Sequence, residues 1–149
     1  MGQSLSAIYI HAVFRTKNGA ISIDQNIEKE LHSYIAGILK NMNSSAIKIN
    51  SMPDHIHILF RMSKNHSISQ IMQIIKKDSS KWMKANGYKD FCWQTGYGTF
   101  SVSQSKLKIV SNYILNQKEH HKKKSFLEEV EIFMIEYKVN QYSRDYFWR

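Results

Sequence analysis

The order in which strand-like and helix-like patterns follow one another most restricts the fold of this chain. Residues 5–15 alternate between two faces, which predicts a strand. Asp24 is a typical helix-capping residue, and apolar residues at helical spacing follow it to about Met42. Two further strands are predicted at residues 46–50 and 55–62, with a turn between them.

The second half of the chain continues the same alternation of strands and helices. Its predicted elements are a helix from Ser67 or Ser69 to residues 86–87, a strand ending the aromatic segment 91–103, and helices over about 105–117 and 125–138. The order β-α-β-β-α-β, with helices appended, predicts an α+β fold of the ferredoxin-like split βαβ type, in which helices pack on an antiparallel sheet. Since no repeat or linker interrupts the pattern, we expect one domain over residues 1–149.

Composition excludes several other classes of protein. With 42% apolar residues in 149, the chain can form a core, which excludes a disordered tail protein. The single cysteine, Cys92, excludes an internal disulfide framework and a Cys-rich zinc site. No stretch approaches the roughly 18 consecutive apolar residues of a membrane-spanning helix, and the first residues lack the pattern of an export signal. We therefore expect a cytoplasmic protein without a membrane partner.

The net charge of +9 is concentrated in the middle of the chain. Between Lys64 and Lys124 there are twelve basic and three acidic residues, interspersed with aromatic ones, whereas the remainder is balanced. This predicts a nucleic-acid-binding surface, in which the basic residues contact backbone phosphates and the aromatic rings stack on unpaired bases. The alternative is a solvated basic face. The candidate DNA contacts are Lys76, Lys77, Lys81, Lys84, Lys122, Lys123 and Lys124.

Two histidines share one face of the predicted strand at residues 55–62. His55 and His57 are two residues apart, so their side chains point the same way and their backbones are separated by about 6.6 Å. Two imidazoles at this separation can bind one metal ion. A hydrogen-bonded histidine pair without a metal is the alternative interpretation.

A tyrosine and a glutamine are four residues apart on the helix predicted at 105–117. Tyr113 and Gln117 would lie on adjacent turns of one face, beside the apolar stripe of that helix. There the phenol could act as an attacking oxygen and the amide carbonyl as a metal ligand. A tyrosine at the core edge and a solvated glutamine would give the same pattern.

Three segments together resemble a known family. They are PDHIHIL at residues 53–59, WQTGYGTFSVS at 93–103 and YILNQ at 113–117. In this order, and over nearly the whole chain, they resemble the single-domain HUH tyrosine transposases of the insertion sequence 200/605 type.

The resemblance implies a DNA transposase that acts as a homodimer on single-stranded DNA hairpins near the ends of an insertion sequence. It implies strand cleavage through a covalent 5′-phosphotyrosine intermediate, with Tyr113 as the nucleophile. It also implies that His55, His57 and Gln117 bind a divalent metal, for which nitrogen and oxygen ligands without thiolate favour Mg²⁺ or Mn²⁺. Since one phosphoester replaces another, no nucleotide cofactor is expected.

Three alternatives remain open from the sequence. A domesticated repeat-associated tyrosine transposase would share the chemistry but act on dispersed palindromes. A non-catalytic single-stranded nucleic-acid-binding module would use the basic face and aromatic residues without breaking a bond. A relaxase of the replication-initiator type is a third possibility, although those proteins are usually larger.

Overall fold

A computed structural model describes residues 2–17, 22–120 and 124–149 of the chain. Four strands form one antiparallel sheet: β1 (Tyr9–Arg15), β2 (Ser45–Met52), β3 (His55–Arg61) and β4 (Gly98–Val102). Their order in the sheet is β2-β3-β1-β4, so β1 and β3 occupy the centre. This topology confirms the predicted ferredoxin-like arrangement.

Within the described ranges, six α-helices accompany the sheet: α1 (Gln25–Asn41), α2 (Ile68–Ala85), α3 (Leu107–Leu115), α4 (Gln117–His120), α5 (Phe126–Glu136) and α6 (Arg144–Phe147). The predicted caps of the two longest helices are confirmed. The Asp24 side chain accepts a hydrogen bond from the Asn26 amide at the start of α1. Ser67, rather than Ser69, caps α2 and forms a reciprocal capping box with Gln70. None of the described helices combines the length and the apolar character needed to cross a membrane.

Apolar side chains cover both faces of the sheet. On one face, Ile56, Ile58 and Phe60 of β3 pack with α1 and α2 in the main core. On the other face, Val13 and Phe100 pack with α5 and the C-terminal residues. The strand β3 is therefore buried from both sides up to Phe60, and its two histidines are buried with it.

Two predicted elements differ from the structure, and one helix was not predicted. The first strand begins at Tyr9 rather than at residue 5, because the pairing of β1 with β3 and β4 begins there. The helix expected over 105–117 is divided: a 3₁₀ turn at Gln104–Lys106 precedes α3, and α4 follows after Asn116. The short helix α6 was not predicted, since four residues are too few to show a helical period.

Candidate active site

Both histidines of β3 point to the sheet face that is covered by α3 and α5, as the alternation predicts. His55 and His57 are fully buried, and their ring centroids lie 5.2 Å apart. The Nδ1 atom of His55 lies 2.7 Å from Oδ1 of Asp54, so an Nδ1–H group donates to that carboxylate. This contact leaves Nε2 of His55 directed at the interior of the site, where it lies 3.4 Å from Oε1 of Gln117.

His57 is held from two sides. Its Nδ1 atom lies 2.8 Å from Nε2 of His11 on β1, and its Nε2 atom lies 2.8 Å from Oε1 of Glu129 on α5. Burial, and next the proximity of His57, lower the pKa of His11 to about 3, so the His11 ring is neutral at physiological pH. A neutral imidazole offers one donor and one acceptor, which lets His11 complement either tautomer of His57.

Tyr113 lies beside His57 of the same chain. The two ring centroids are 6.1 Å apart, and the Tyr113 ring stacks on His120 at 4.6 Å. Burial and the carboxylate of Glu129, which accepts a hydrogen bond from the phenol, raise the pKa of Tyr113, whereas a hydrogen bond with Gln117 opposes that rise. The phenol is therefore protonated at neutral pH.

Tyr113 and Gln117 belong to different helices, contrary to the prediction of one continuous helix. The Nδ2 atom of Asn50 on β2 donates to the carbonyl oxygens of Ile114 and Leu115, at 2.8 and 3.2 Å. These are two of the terminal carbonyls that a helix leaves without a partner at its C-terminus. Gln117 then begins the short helix α4 with its side chain buried, so both predicted residues still face the histidines.

Glu129 is a residue of the site that sequence reasoning missed. It is 3% exposed, and the nitrogen or oxygen ligand atoms of His55, His57 and Glu129 all lie within 4.8 Å of one another. The sequence did contain a signal, because Glu129 lies three residues after Phe126 and four before Phe133, on the apolar face of the predicted helix 125–138. A buried carboxylate on such a face requires polar partners, which β3 and α3 supply.

These donor atoms suit a divalent cation. The site combines imidazole nitrogens with hard oxygen atoms from an amide and a carboxylate, and no thiolate lies among them. Mg²⁺ and Mn²⁺ accept such mixed sets, with oxygen ligands preferred. The Tyr113 phenol lies next to these ligand atoms. A cavity of about 540 Å³ opens beside it, and His11, Tyr113 and Glu129 are among the residues that line it.

The candidate DNA-contacting lysines are spread over different parts of the molecule. Lys124 is exposed and borders the cavity beside Tyr113. Lys122 and Lys123 lie outside the described residues. Lys77, Lys81 and Lys84 are exposed on α2, which packs on the sheet face opposite to the histidines.

Lys76 differs from the other three lysines of α2. Its Nζ atom donates to the carbonyl oxygens of Thr95 and Gly96, at 2.9 and 2.8 Å. It also lies 5.6 Å from the ring centroid of Phe14, and burial lowers its pKa to about 8. The side chain thus holds the segment before β4 against α2, and its hydrogen bonds go to protein carbonyls.

Comparison with known proteins decides the family. The family model described as "Transposase IS200 like" matches residues 4–117. The chain belongs to the IS200-like transposases. The matched range includes both histidines, Tyr113 and Gln117, and it ends before α5. A search of curated proteins finds no significant match to this IS200-like transposase.

Solved structures share the fold of this IS200-like transposase at low sequence identity. A candidate transposase from Deinococcus radiodurans R1 is 19% identical, with a TM-score of 0.63 over 78% of this chain and 96% of that one. A REP-associated tyrosine transposase bound to a REP hairpin is 15% identical, with a TM-score of 0.60 over 81% of this chain and 74% of that one. These likenesses confirm the predicted α+β architecture.

Proposed function

We propose that this transposase cleaves and rejoins single-stranded DNA at the hairpin-marked ends of an insertion sequence, through a covalent link to Tyr113, with residues 1–149 acting as one domain. The observation that supports the proposal is that side chains of β3, α3 and α4 meet at one place. The Tyr113 ring lies 6.1 Å from that of His57, and Oε1 of Gln117 lies 3.4 Å from Nε2 of His55.

The proposed reaction exchanges one phosphoester for another. The phenol oxygen of Tyr113 forms a bond to the scissile phosphorus while the bond to the 3′-oxygen breaks. The 3′-oxygen leaves as a hydroxyl after gaining a proton, and the 5′-phosphate stays on the tyrosine. A free 3′-hydroxyl can attack the phosphotyrosine and reverse the step, so rejoining needs no nucleotide cofactor.

The raised pKa of Tyr113 makes charge stabilisation the main task of the site. The phenol has to lose its proton as the new bond forms, beside a phosphate that is already anionic. A bound Mg²⁺ or Mn²⁺ would supply positive charge beside the phosphate oxygens. In this proposal His55, His57 and Gln117 hold the ion, and Asp54 and His11 orient the two imidazoles through their Nδ1 atoms.

The proposal also covers the DNA substrate and the number of chains that act together. The fold neighbour bound to a REP hairpin supports a hairpin as the DNA structure that is recognised. In this proposal Lys124, which borders the cavity beside Tyr113, contacts the phosphates next to the scissile bond. Excision needs two strand breaks, whereas one chain has one Tyr113, so we propose a homodimer in which each chain contributes its own histidines and tyrosine.

A covalent-adduct assay tests the proposal. The protein is mixed with Mn²⁺ or Mg²⁺ and a 3′-end-labelled single-stranded hairpin oligonucleotide taken from the DNA that flanks the gene, and the products are separated on a denaturing gel. We expect a metal-dependent labelled protein band that Tyr113→Phe abolishes. Tyr34→Phe serves as the matched control, because Tyr34 lies on α1, across the sheet from the site, and stacks on Trp82.

Two outcomes would contradict the proposal. An adduct that persists in Tyr113→Phe would assign the nucleophile to another residue. Binding of several flanking hairpins without any adduct would favour the non-catalytic single-stranded binding module over the transferase.

A further inference from the structure

We infer that Glu129 is a further protein ligand of the divalent cation, added by α5 to the two histidines and Gln117. The inference rests on the proposed function, since it assumes that the cation binds at His55 and His57. It extends the site beyond the range matched by the family model, which ends at residue 117.

The distances leave room for a cation between Glu129 and His57. Two ligand atoms at about 2.1 Å from one ion, at a right angle to each other, are separated by about 3.0 Å. Oε1 of Glu129 and Nε2 of His57 lie 2.8 Å apart, and both atoms lie within 4.8 Å of the ligand atom of His55. The separation of the His57 and Glu129 atoms is therefore within a few tenths of an ångström of the separation that a shared cation requires.

A stacked aromatic pair holds α5 in position over the histidines. The ring of Phe126, one turn before Glu129, stacks on the His55 ring with centroids 3.9 Å apart and planes inclined by 9°. Phe126 and Val130 also belong to the buried cluster under α5. The carboxylate is thus attached to an element whose place relative to β3 is fixed by packing, as a metal ligand requires.

Glu129 also changes the charge of the ligand set. Imidazoles and the Gln117 amide are neutral ligands, so without Glu129 the site has no anionic ligand from this group. A carboxylate is a hard, charged oxygen ligand that strengthens the binding of Mg²⁺ and Mn²⁺. Since Glu129 also accepts a hydrogen bond from Tyr113, one side chain touches both the metal site and the nucleophile.

Mn²⁺ binding by the full chain in the absence of DNA tests the inference. Free Mn²⁺ is followed by its electron paramagnetic resonance signal during titration, for the unaltered protein, Glu129→Gln and Glu128→Gln. We expect Glu129→Gln to weaken Mn²⁺ binding by at least about tenfold, since even outer-shell changes cost that much. Glu128→Gln removes the same charge from the exposed side of α5 and should bind as the unaltered protein does.

A second measurement distinguishes weaker Mn²⁺ binding from a general loss of stability in the variant. The rise in unfolding temperature that saturating Mn²⁺ produces should be smaller in Glu129→Gln than in Glu128→Gln, whatever their unfolding temperatures without metal. Glu129→Asp, which keeps the charge but shortens the side chain, should bind Mn²⁺ more tightly than Glu129→Gln.

The outcomes separate the inference from the proposed function. Unchanged Mn²⁺ affinity in Glu129→Gln, together with lost binding in His57→Ala, would overturn the role of Glu129 and leave the proposed site intact. Absence of Mn²⁺ binding by the unaltered protein would overturn the inference and the metal site together. Tyrosine-linked cleavage would still be tested on its own by the adduct assay.

Discussion

The Nδ1 atom of His57 and the Nε2 atom of His11 lie 2.8 Å apart, diagonally across the central β1–β3 pair of the sheet. Both side chains are buried, and their rings are stacked with centroids 5.1 Å apart and planes inclined by 26°. The contact fixes the ring plane of His57 and thereby the direction in which its Nε2 atom points.

Replacement of His11 should therefore impair the site through His57. In His11→Phe the ring volume stays but Nδ1 of His57 loses its buried partner, so we expect Mn²⁺-dependent adduct formation to fall by about 10- to 100-fold. His11→Gln can place a polar atom near the position of Nε2 and should retain more of the rate. Equal rates in the two variants would show that His11 acts only by filling space.

Acidification should destabilise the protein through His32. Burial lowers the pKa of His32 below its ordinary value of 6.5, Glu28 opposes that shift and Lys118 adds to it. Its Nε2 atom lies 2.8 Å from the hydroxyl of Ser51. Because the folded state takes up the proton at lower pH than the unfolded state, the free energy of unfolding should decrease as the pH falls below about 6.5.

The contribution of His32 is measured as a difference between two proteins. Urea unfolding of the unaltered chain and of His32→Gln is compared from pH 7 downward, and the variant should show the shallower loss. His11 gives a shift of the same sign but is present in both proteins, so it cancels. Parallel pH profiles would contradict the assignment to His32.

The hydrogen bond between Trp93 and Ser79 should contribute measurably to stability. The indole Nε1–H donates to Oγ of Ser79 at 2.9 Å, and both residues are buried. Ser79→Ala leaves the indole without this acceptor, which should reduce the free energy of unfolding by about 1–3 kcal/mol. In a Trp93→Phe background the same substitution should cost clearly less, and an equal cost in both backgrounds would exclude the hydrogen bond as the cause.

Gly98 at the start of β4 should not tolerate a side chain. A Cβ atom there would lie 3.1 Å from Cγ2 of Val13 and 3.3 Å from Cε2 of Phe100. We expect Gly98→Ala to cost about 1–3 kcal/mol by overpacking, measured by thermal or urea unfolding. Gly37→Ala, on α1 with open space around the new methyl group, should stabilise by about 0.5–1 kcal/mol. If Gly98→Ala left the free energy of unfolding unchanged, Val13 and Phe100 would have to move aside at no cost, which would contradict the prediction.

Local patterns in the sequence were sufficient for much of the fold. Asp24 identifies the start of α1, and the start of α2 was narrowed to Ser67 or Ser69, because capping depends on residues three or fewer positions away. The alternation of residues 55–62 identifies the face that carries His55 and His57. These features need no information about distant parts of the chain.

Features that depend on distant contacts were missed. The division between α3 and α4 involves Asn50, a residue of another strand that satisfies the last carbonyls of α3. Glu129 joins the site because α5 packs against the histidines of β3; its place on the apolar face of its helix indicates burial but does not reveal which residues it meets. The hydrogen bonds from the Lys76 amine to the carbonyls of Thr95 and Gly96 join residues about 20 positions apart, so no local pattern predicts them.

The link from Asn50 to the end of α3 also bears on which mutations the site can accept. Asn50 pairs with His57 in the β2–β3 ladder, and its amide binds backbone carbonyls rather than side chains of α3. Every amino acid provides such a carbonyl, so these two hydrogen bonds do not depend on which side chains α3 carries at its exposed positions. Asn50 has no such freedom, because its replacement would remove the side-chain donor for the last carbonyls of the helix that carries Tyr113.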